Sequence, residues 1–385
     1  MRHRKTGLRK SIDVSFQAAL FVNLPRHYRR AARKNHAIAA VLARAKVRTP
    51  TNHCLREMPV TSNRSRGRSR TASLTRRDTK RLRISIVGAG RLGTALGNAL
   101  HHAGHRIEVV VSRHIATSRR ASAAVSSRSL AATTAQLQDK DSLAFQKLCG
   151  SDLIVIATPD AAIEPVATSL AALVRSEVTA STKNRTVLHT SGAISSRVLN
   201  PLRLAGFATG SLHPLVSVSD AKSSRGIFRG VYFCVEGDAR AVRLAQVLVS
   251  QLSGRSFTIK SKSKPLYHAA AVMTSGHVVA LFDLALLMLR KCGLSSRDAQ
   301  RVFMPLLRST ITNLEKSTPA RALTGPYARG DFETARKHLT TLQESGLDDV
   351  NEIYKILARH SLALGKTLKH DPNFELLARL LDHIS

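Results

Sequence analysis

Short apolar runs alternate with amphipathic stretches of helical length between residue 82 and about residue 236. Most of the apolar runs end at a glycine, a proline or a polar turn, as buried strands do. The predicted strands lie at residues 84–87, 107–111, 151–158, 186–192, 207–214 and 230–237. Strands that alternate with helices are typical of a parallel sheet with helices on both faces. The pattern therefore predicts a doubly wound, mainly parallel α/β sheet.

After Gly237 the pattern becomes helical, with predicted helices at residues 239–252, 266–291, 296–315, 332–344, 348–364 and 373–383. The stretch 266–291 is apolar on almost every face, yet it contains Asp283. A carboxylate at the centre of a membrane costs about 2.5–3.5 kcal/mol. We therefore expect no membrane span here, but a central helix buried in a helical domain or in a dimer.

The glycine run at residues 88–93 lies between the first predicted strand and the first predicted helix. Such a turn binds the pyrophosphate of a dinucleotide, because the glycines let the backbone approach the phosphates and the helix N-terminus faces their charge. The predicted cofactor-binding residues of this turn are Gly88, Ala89, Gly90, Arg91, Leu92 and Gly93. The turn at Ala157, Thr158 and Pro159, at the end of a later strand, should pass along the same cofactor.

The residues after the second strand bear on which dinucleotide binds. NAD sites usually carry Asp or Glu there, whereas this chain has Ser112 and Arg113. A hydroxyl and a guanidinium suit a 2′-phosphate, so the sequence favours NADP over NAD. The alternative is that Arg113 is a solvated loop residue, and NAD stays possible.

The basic charge of the chain is concentrated at its beginning. The net charge is +35, and residues 1–80 contain 21 basic and three acidic residues. The Arg/Ser-rich run at 64–70 predicts disorder. This extension has three interpretations: a nucleic-acid-binding tail, an organellar transit peptide, or translation that begins nearer residue 80. We favour the last, because dinucleotide domains begin a few residues before their first strand, and we expect nucleic-acid binding only through this extension.

Four widely spaced cysteines without a CxxC pair indicate a reducing compartment and argue against a zinc site. No secretory signal is evident, so we expect a cytoplasmic protein. We also expect no metal site, since the histidines form no HxxxH pair with a nearby acid. The predicted organisation is a basic extension at 1–80, a dinucleotide-binding domain at 81–237 and a helical domain at 238–385.

Five segments carry a resemblance to a known family. They are Ile-Val-Gly-Ala-Gly-Arg-Leu-Gly (86–93), His-Thr-Ser-Gly-Ala (189–193), Ser-Leu-His-Pro-Leu (211–215), Tyr-His-Ala-Ala-Ala-Val (267–272) and Leu-Thr-Gly-Pro-Tyr-Ala-Arg-Gly-Asp (323–331). Over roughly residues 82–365 the chain resembles bacterial Rossmann-like proteins whose C-terminal domain has no assigned function (DUF2520 type). These are related to pyrroline-5-carboxylate reductase, to 6-phosphogluconate and β-hydroxyacid dehydrogenases, and to deazaflavin-dependent NADP oxidoreductases. One departure is Thr274-Ser-Gly276, where the family pattern leads us to expect Ala-Ser-Asn.

The resemblance implies an all-α, 6-phosphogluconate-dehydrogenase-like C-terminal domain and a homodimer joined through it. It also implies an NADP-dependent oxidoreductase that acts on a small carbonyl, imine or hydroxyacid between the two domains. The alternative is a dinucleotide-binding sensor or regulatory protein that catalyses nothing.

The candidate catalytic residues are Lys264, His268 and His213. Lys264 and His268 stand four positions apart and share one face of a helix. In the related dehydrogenases a Lys and an Asn have this separation, which implies that Lys264 polarises or protonates the substrate while His268 positions it. The alternatives are a solvated lysine and a satisfied core histidine. His213 is an acid/base or anchor at the end of a strand, or a histidine bonded to a backbone carbonyl.

Three further residues are candidates for substrate contact. Ser191 and Gly192 can offer backbone N–H groups and a hydroxyl, although an ordinary strand-to-helix turn explains them equally. Arg329, in a loop flanked by glycines, is a candidate for binding a carboxylate or phosphate. The alternative is that Arg329 only braces its loop through Asp331.

Overall fold

The computed structural model describes residues 81–175, 185–219 and 226–383. The predictions for the basic extension at 1–80 lie outside the described residues. Within these ranges eight strands form one sheet in the order β3-β2-β1-β4-β5-β6-β7-β8. The strands are β1 (Arg83–Val87), β2 (Arg106–Ser112), β3 (Leu130–Thr133), β4 (Leu153–Ile156), β5 (Thr186–His189), β6 (Ala208–Pro214), β7 (Tyr232–Gly237) and β8 (Arg255–Phe257).

The prediction of a mainly parallel sheet is confirmed. Neighbouring strands from β3 to β6 all pair in parallel. β7 runs antiparallel to β6, with His213 opposite Cys234, and β8 then pairs in parallel with β7. The carboxyl ends of β2, β1, β4, β5 and β6 therefore meet at one edge of the sheet.

Helices pack on both faces of this sheet, as the alternating pattern predicted. They are α1 (Arg91–His102), α2 (Ile115–Val125), α3 (Leu143–Cys149), α4 (Asp160–Arg175), α5 (Asn200–Leu204) and α6 (Ala239–Gln251). One core holds residues of α1, α2 and α6 against β1, and the other holds residues of α3, α4 and α5 against β4. Because α6 and β8 belong to these layers, the α/β part extends to Phe257, past the boundary predicted at residue 237.

The helical part of the chain follows Phe257. Its helices are α7 (Lys264–Thr274), α8 (Gly276–Lys291), α9 (Ser296–Lys316), α10 (Pro319–Ala322), α11 (Pro326–Arg329), α12 (Phe332–Glu344), α13 (Asp348–Lys366) and α14 (Asn373–His383). α11 to α14 share a core of their own around Tyr327 and Phe374. Asp331 caps α12, because its carboxylate accepts the Thr334 N–H at 3.1 Å.

The predicted single helix at 266–291 is two helices, α7 and α8, which meet at Ser275. The hydroxyls of Thr274 and Ser275 donate to the carbonyls of Ala270 and Ala271 at 2.8 Å, and such side-chain bonds to the preceding turn bend helices. The bend at this point has a local cause in the Thr-Ser-Gly sequence.

The expected burial of this helix within its own helical domain is wrong for the part of the chain that the structure describes. No residue of α8 is buried, and the Val279 side chain is 70% exposed. By length and composition alone, the stretch Ser261–Lys291 is able to cross a membrane. The first turn of α7 is bonded to the sheet through Lys264, and the apolar residues of α8 beyond it form an exposed surface.

Candidate functional site

Two turns at the edge of the sheet pack against each other without room for side chains. A Cβ on Gly88 would lie 2.4 Å from the carbonyl carbon of Ala157, and Gly88 has a φ of +118°. A Cβ on Gly93 would lie 2.0 Å from the Gly88 carbonyl oxygen. Glycine is therefore required at both positions, and the turn after β1 touches the turn after β4.

Gly90 has a different role, because it faces open space. It adopts a φ of −75° and a ψ of −178° as the N-cap of α1, and no heavy atom lies within 4 Å of where its Cβ would be. No side chain caps this helix and no acidic residue stands in its first turn. The N-terminus of α1 is thus accessible to an anion, which can approach closely because Gly90 has no side chain.

The neighbouring side chains fit a dinucleotide at this position. Ala89 and Leu92 pack into the core, whereas Arg91 is exposed and contacts the Ser219 carbonyl at 3.4 Å. The Thr158 hydroxyl is buried without a hydrogen-bond partner among the described residues. An unpaired buried hydroxyl beside an open helix N-terminus is an arrangement that a phosphate or ribose satisfies.

Ser112 and Arg113 lie at the carboxyl end of β2, as predicted. The Ser112 hydroxyl is already engaged by the His114 carbonyl at 2.9 Å and by the Ser118 hydroxyl at 2.8 Å. Arg113 is exposed. Of the two predicted residues, Arg113 is therefore the one whose side chain is better placed to meet a phosphate.

A cavity of about 620 Å³ lies beyond the carboxyl end of β6, between this strand and α7. Its described lining consists of His213, Pro214, Leu215, Val216, Ser217, Phe257, Tyr267, His268, Ala270, Ala271, Val272, Thr274 and Ser275. His213 Nδ1 lies 2.7 Å from the Tyr267 hydroxyl, and the rings of His213 and His268 are 5.5 Å apart. Gly192 makes this meeting of rings possible, because a Cβ there would lie 2.5 Å from His268 Nδ1.

Lys264 does not line this cavity, although it belongs to the same helix. Its side chain is fully buried, so it does not form part of a solvated run. The ammonium donates to the Ser191 carbonyl at 2.9 Å and to the Ser211 hydroxyl at 2.8 Å. Lys264 thus joins β6 to the turn after β5 and fixes the start of α7 against the sheet.

Sequence profiles divide the chain before β7, earlier than the change to helical structure after Phe257. Residues 67–214 match the Rossmann-like domain, and residues 231–361 match a domain of unknown function, DUF2520. The chain combines a Rossmann-like domain with a DUF2520 domain. This confirms the resemblance noted in the sequence, and the DUF2520 match runs from β7 through α7, α8 and α9 into α13. No curated protein matches the chain significantly.

Two of the similar solved structures have TM-scores above 0.5 and share this fold. Protein TM1727 from Thermotoga maritima is 22% identical over 74% of this chain and 98% of its own, with a TM-score of 0.56. The putative NADP oxidoreductase BF3122 from Bacteroides fragilis is 23% identical over the same shares, with a TM-score of 0.52. A pyrroline-5-carboxylate reductase from Streptococcus pyogenes is 16% identical over 75% of this chain and all of its own, with a TM-score of 0.47.

Burial and neighbouring basic groups keep His213 and His189 neutral. Burial, followed by the neighbouring His268 and Lys264, lowers the pKa of His213 to about 4. Burial and Lys264 lower the pKa of His189, one strand away, to about 3. Burial and the nearby Cys234 raise the pKa of the Tyr267 hydroxyl, so it stays protonated.

Tyr267 is a residue that the sequence interpretation missed. It stands three positions after Lys264, so the helical spacing that paired Lys264 with His268 also places Tyr267 at the site. His268 Nδ1 is buried without a hydrogen-bond partner in the described part of the chain. The cavity thus presents a protonated hydroxyl and an unpaired ring nitrogen.

The remaining candidates hold their own turns together. The Ser191 hydroxyl accepts the N–H groups of Ala193 and Ile194 at 3.1 Å, which favours the turn interpretation. Arg329 lies 4.0 Å from Asp331 and is not part of the cavity lining, which favours the bracing interpretation within this chain. Among the described residues, no group of three or more His, Cys, Asp or Glu side chains is placed to hold a metal ion.

Proposed function

We propose that the chain is an NADP-dependent oxidoreductase that acts on a small carbonyl, imine or hydroxyacid between the sheet edge and α7. The observation that carries the proposal is the shared edge of the sheet. The open glycine turn follows β1, and the His213–Tyr267 pair lies at the end of β6, three strands away on the same edge. In open α/β sheets ligands bind outside these carboxyl ends.

In this proposal, different residues along that edge bind the cofactor and donate a proton to the substrate. Gly90 and the N-terminus of α1 bind the pyrophosphate, and Thr158 contacts the cofactor beside them. A bound reduced nicotinamide supplies a hydride. A carbonyl that accepts this hydride also needs one proton on its oxygen, and the Tyr267 hydroxyl, paired with His213, is placed to donate it.

Exposed Arg113 is the basis for NADP rather than NAD, since a guanidinium pairs with a 2′-phosphate. The similar structure from Bacteroides fragilis is also named as a putative NADP oxidoreductase. Titration with NADPH and NADH, followed by nicotinamide fluorescence, tests this proposal. We expect Arg113→Gln to weaken NADPH binding roughly tenfold or more, because hydrogen bonds to charged groups contribute about 1.5–3 kcal/mol.

The matched control is Arg119→Gln, which removes another exposed arginine from α2. This variant should bind NADPH as the wild type does. An equal loss of NADPH affinity in the two variants would mean that the effect comes from the overall positive charge and not from a contact of Arg113. Failure of both cofactors to bind at millimolar concentration would end the proposal.

A dinucleotide sensor without catalysis is the second candidate. It is favoured by the burial of Lys264, whose ammonium is engaged away from the cavity, and by Gly276, which stands where the family pattern has Asn. Strong NADPH binding without turnover of any aldehyde, ketone, imine or hydroxyacid would support it. Turnover that depends on Tyr267 would exclude it.

We also propose that a second copy of the chain covers α8 and α9. An apolar groove of about 230 Å³ runs between the two helices, and Leu306 beside it is 61% exposed. Exposed apolar patches of this kind mark protein interfaces. Sedimentation equilibrium should show a dimer that Val279→Glu dissociates. Leu204→Glu, an equally exposed change in the α/β part, should leave the dimer intact, and a monomeric wild type would contradict the proposal.

A further inference from the structure

The walls of the 620 Å³ cavity contain no Lys, Arg, Asp or Glu among the described residues that line it. Seven of its thirteen lining residues are Ala, Val, Leu, Pro or Phe, and Ser, Thr, Tyr and His make up the rest. A carboxylate or an ammonium that enters such a space loses its hydration and meets no counter-ion. The lining therefore disfavours a charged ligand of either sign.

The nearest cation does not alter this conclusion. Lys264 is fully buried, and the Ser191 carbonyl and the Ser211 hydroxyl already accept its ammonium. Arg329, the residue that sequence analysis suggested for a substrate carboxylate, is exposed at the end of α11 and lies 4.0 Å from Asp331. Neither side chain reaches the cavity.

Of the two histidines that line the cavity, His213 carries no charge at neutral pH. Burial and its two basic neighbours, His268 and Lys264, hold the pKa of His213 at about 4. The hydroxyl beside it stays protonated, because burial raises the pKa of Tyr267. His213 Nδ1 and the Tyr267 hydroxyl therefore form a neutral hydrogen-bonding pair 2.7 Å apart, and His268 lies beside them.

We propose that the cavity binds an uncharged aldehyde or ketone with an aliphatic or aromatic body, whose oxygen accepts a hydrogen bond from the Tyr267 hydroxyl. The apolar wall of Leu215, Val216 and Phe257 packs against the body of the ligand. This inference rests on the proposed function and narrows it, because hydroxyacids and protonated imines carry the charges that the lining disfavours.

Three aldehydes of similar size test the inference: 4-methylbenzaldehyde, 4-carboxybenzaldehyde and 4-(trimethylammonio)benzaldehyde. Their binding to the full chain is measured by calorimetry without cofactor, and their reduction with NADPH is measured separately. We expect the neutral aldehyde to bind at least about tenfold more tightly than either charged one, because each charged group is buried without a partner. Equal or tighter binding of the carboxylate overturns the inference.

Two variants sharpen this test. Tyr267→Phe removes only the hydroxyl and should weaken the neutral aldehyde by up to about tenfold, since a neutral hydrogen bond contributes about 0.5–1.5 kcal/mol. Val272→Lys places a cation in the wall and should favour the carboxylate. A Val272→Lys variant that still rejects the carboxylate, or a Tyr267→Phe variant with wild-type affinity, contradicts the proposed binding mode.

The outcomes separate this inference from the proposed function. If NADPH binds but none of the three aldehydes does, the inference fails and the oxidoreductase proposal stands. If the neutral aldehyde binds as expected and no dinucleotide does, the oxidoreductase proposal fails.

Discussion

Replacing Gly90 by alanine separates the binding role of the glycine turn from its structural role. The φ of −75° is one that alanine adopts, and the new Cβ meets no heavy atom within 4 Å. Alanine is a poorer N-cap than glycine but restricts the unfolded chain, and these two effects oppose each other. We therefore expect the unfolding free energy of Gly90→Ala to stay within about 1 kcal/mol of the wild type.

Cofactor binding should respond differently, because the added methyl group fills the space through which a phosphate reaches the N-terminus of α1. Loss of one hydrogen bond to a charged group costs about 1.5–3 kcal/mol, which is roughly a tenfold to 150-fold weaker affinity for NADPH. Fluorescence titration measures the affinity, and urea unfolding measures the stability.

Gly93→Ala is the contrasting variant. Its Cβ would lie 2.0 Å from the Gly88 carbonyl oxygen, so the strand and helix must move apart. Overpacking of this kind costs about 1–3 kcal/mol or more, and the variant should lose stability and binding together. Wild-type NADPH affinity in Gly90→Ala would refute the reasoning, as would a loss of stability equal to that of Gly93→Ala.

Three further predictions concern the cavity. Because the folded state lowers the pKa of His213 from 6.5 to about 4, the unfolded chain takes up a proton at higher pH than the folded chain does. The unfolding free energy should therefore fall as the pH drops from about 6.5 to 4. Urea unfolding should show a smaller fall in His213→Gln than in the wild type. Lys264→Met should raise the His213 pKa part of the way toward its usual value in an NMR titration, because the lysine charge is one of three causes of the shift; an unchanged pKa would argue against it. Gly192→Ala places a Cβ 2.5 Å from His268 Nδ1, so it should abolish aldehyde binding while NADPH affinity, the internal control, stays at the wild-type value.

Strands made of several consecutive apolar residues could be predicted from the sequence. The strand at 153–156 is a continuous apolar run, and Ile84–Val87 is apolar except for the buried Ser85, as is typical of strands covered on both faces. Leu130–Thr133 and Arg255–Phe257 are short and partly exposed, and they are strands because β2 and β7 offer them partners. Pairing between distant segments is not visible in local pattern.

The same distinction applies to the site. The four-residue spacing placed Lys264 and His268 on one face of a helix, but it did not show how far each side chain is buried. Lys264 is buried because Ser191 and Ser211 offer it acceptors from two other segments, a contact that joins residues more than 50 positions apart. Tyr267 was overlooked because its role depends on His213, which lies equally far away in the chain.

The reversal of strand direction at β7 sets a length for the ligand. From Arg113 at the end of β2 to His213 at the end of β6, the edge crosses four strand spacings of about 4.8 Å, or about 19 Å. β7 turns its carboxyl end to the opposite edge, so β6 is the last strand of this series whose carboxyl end lies at the shared edge. The spacing of the strands thus fixes the distance between Arg113 and His213. A molecule that touches Arg113 and the histidines together must be as long as two joined nucleotides, and two shorter fragments have room to bind side by side.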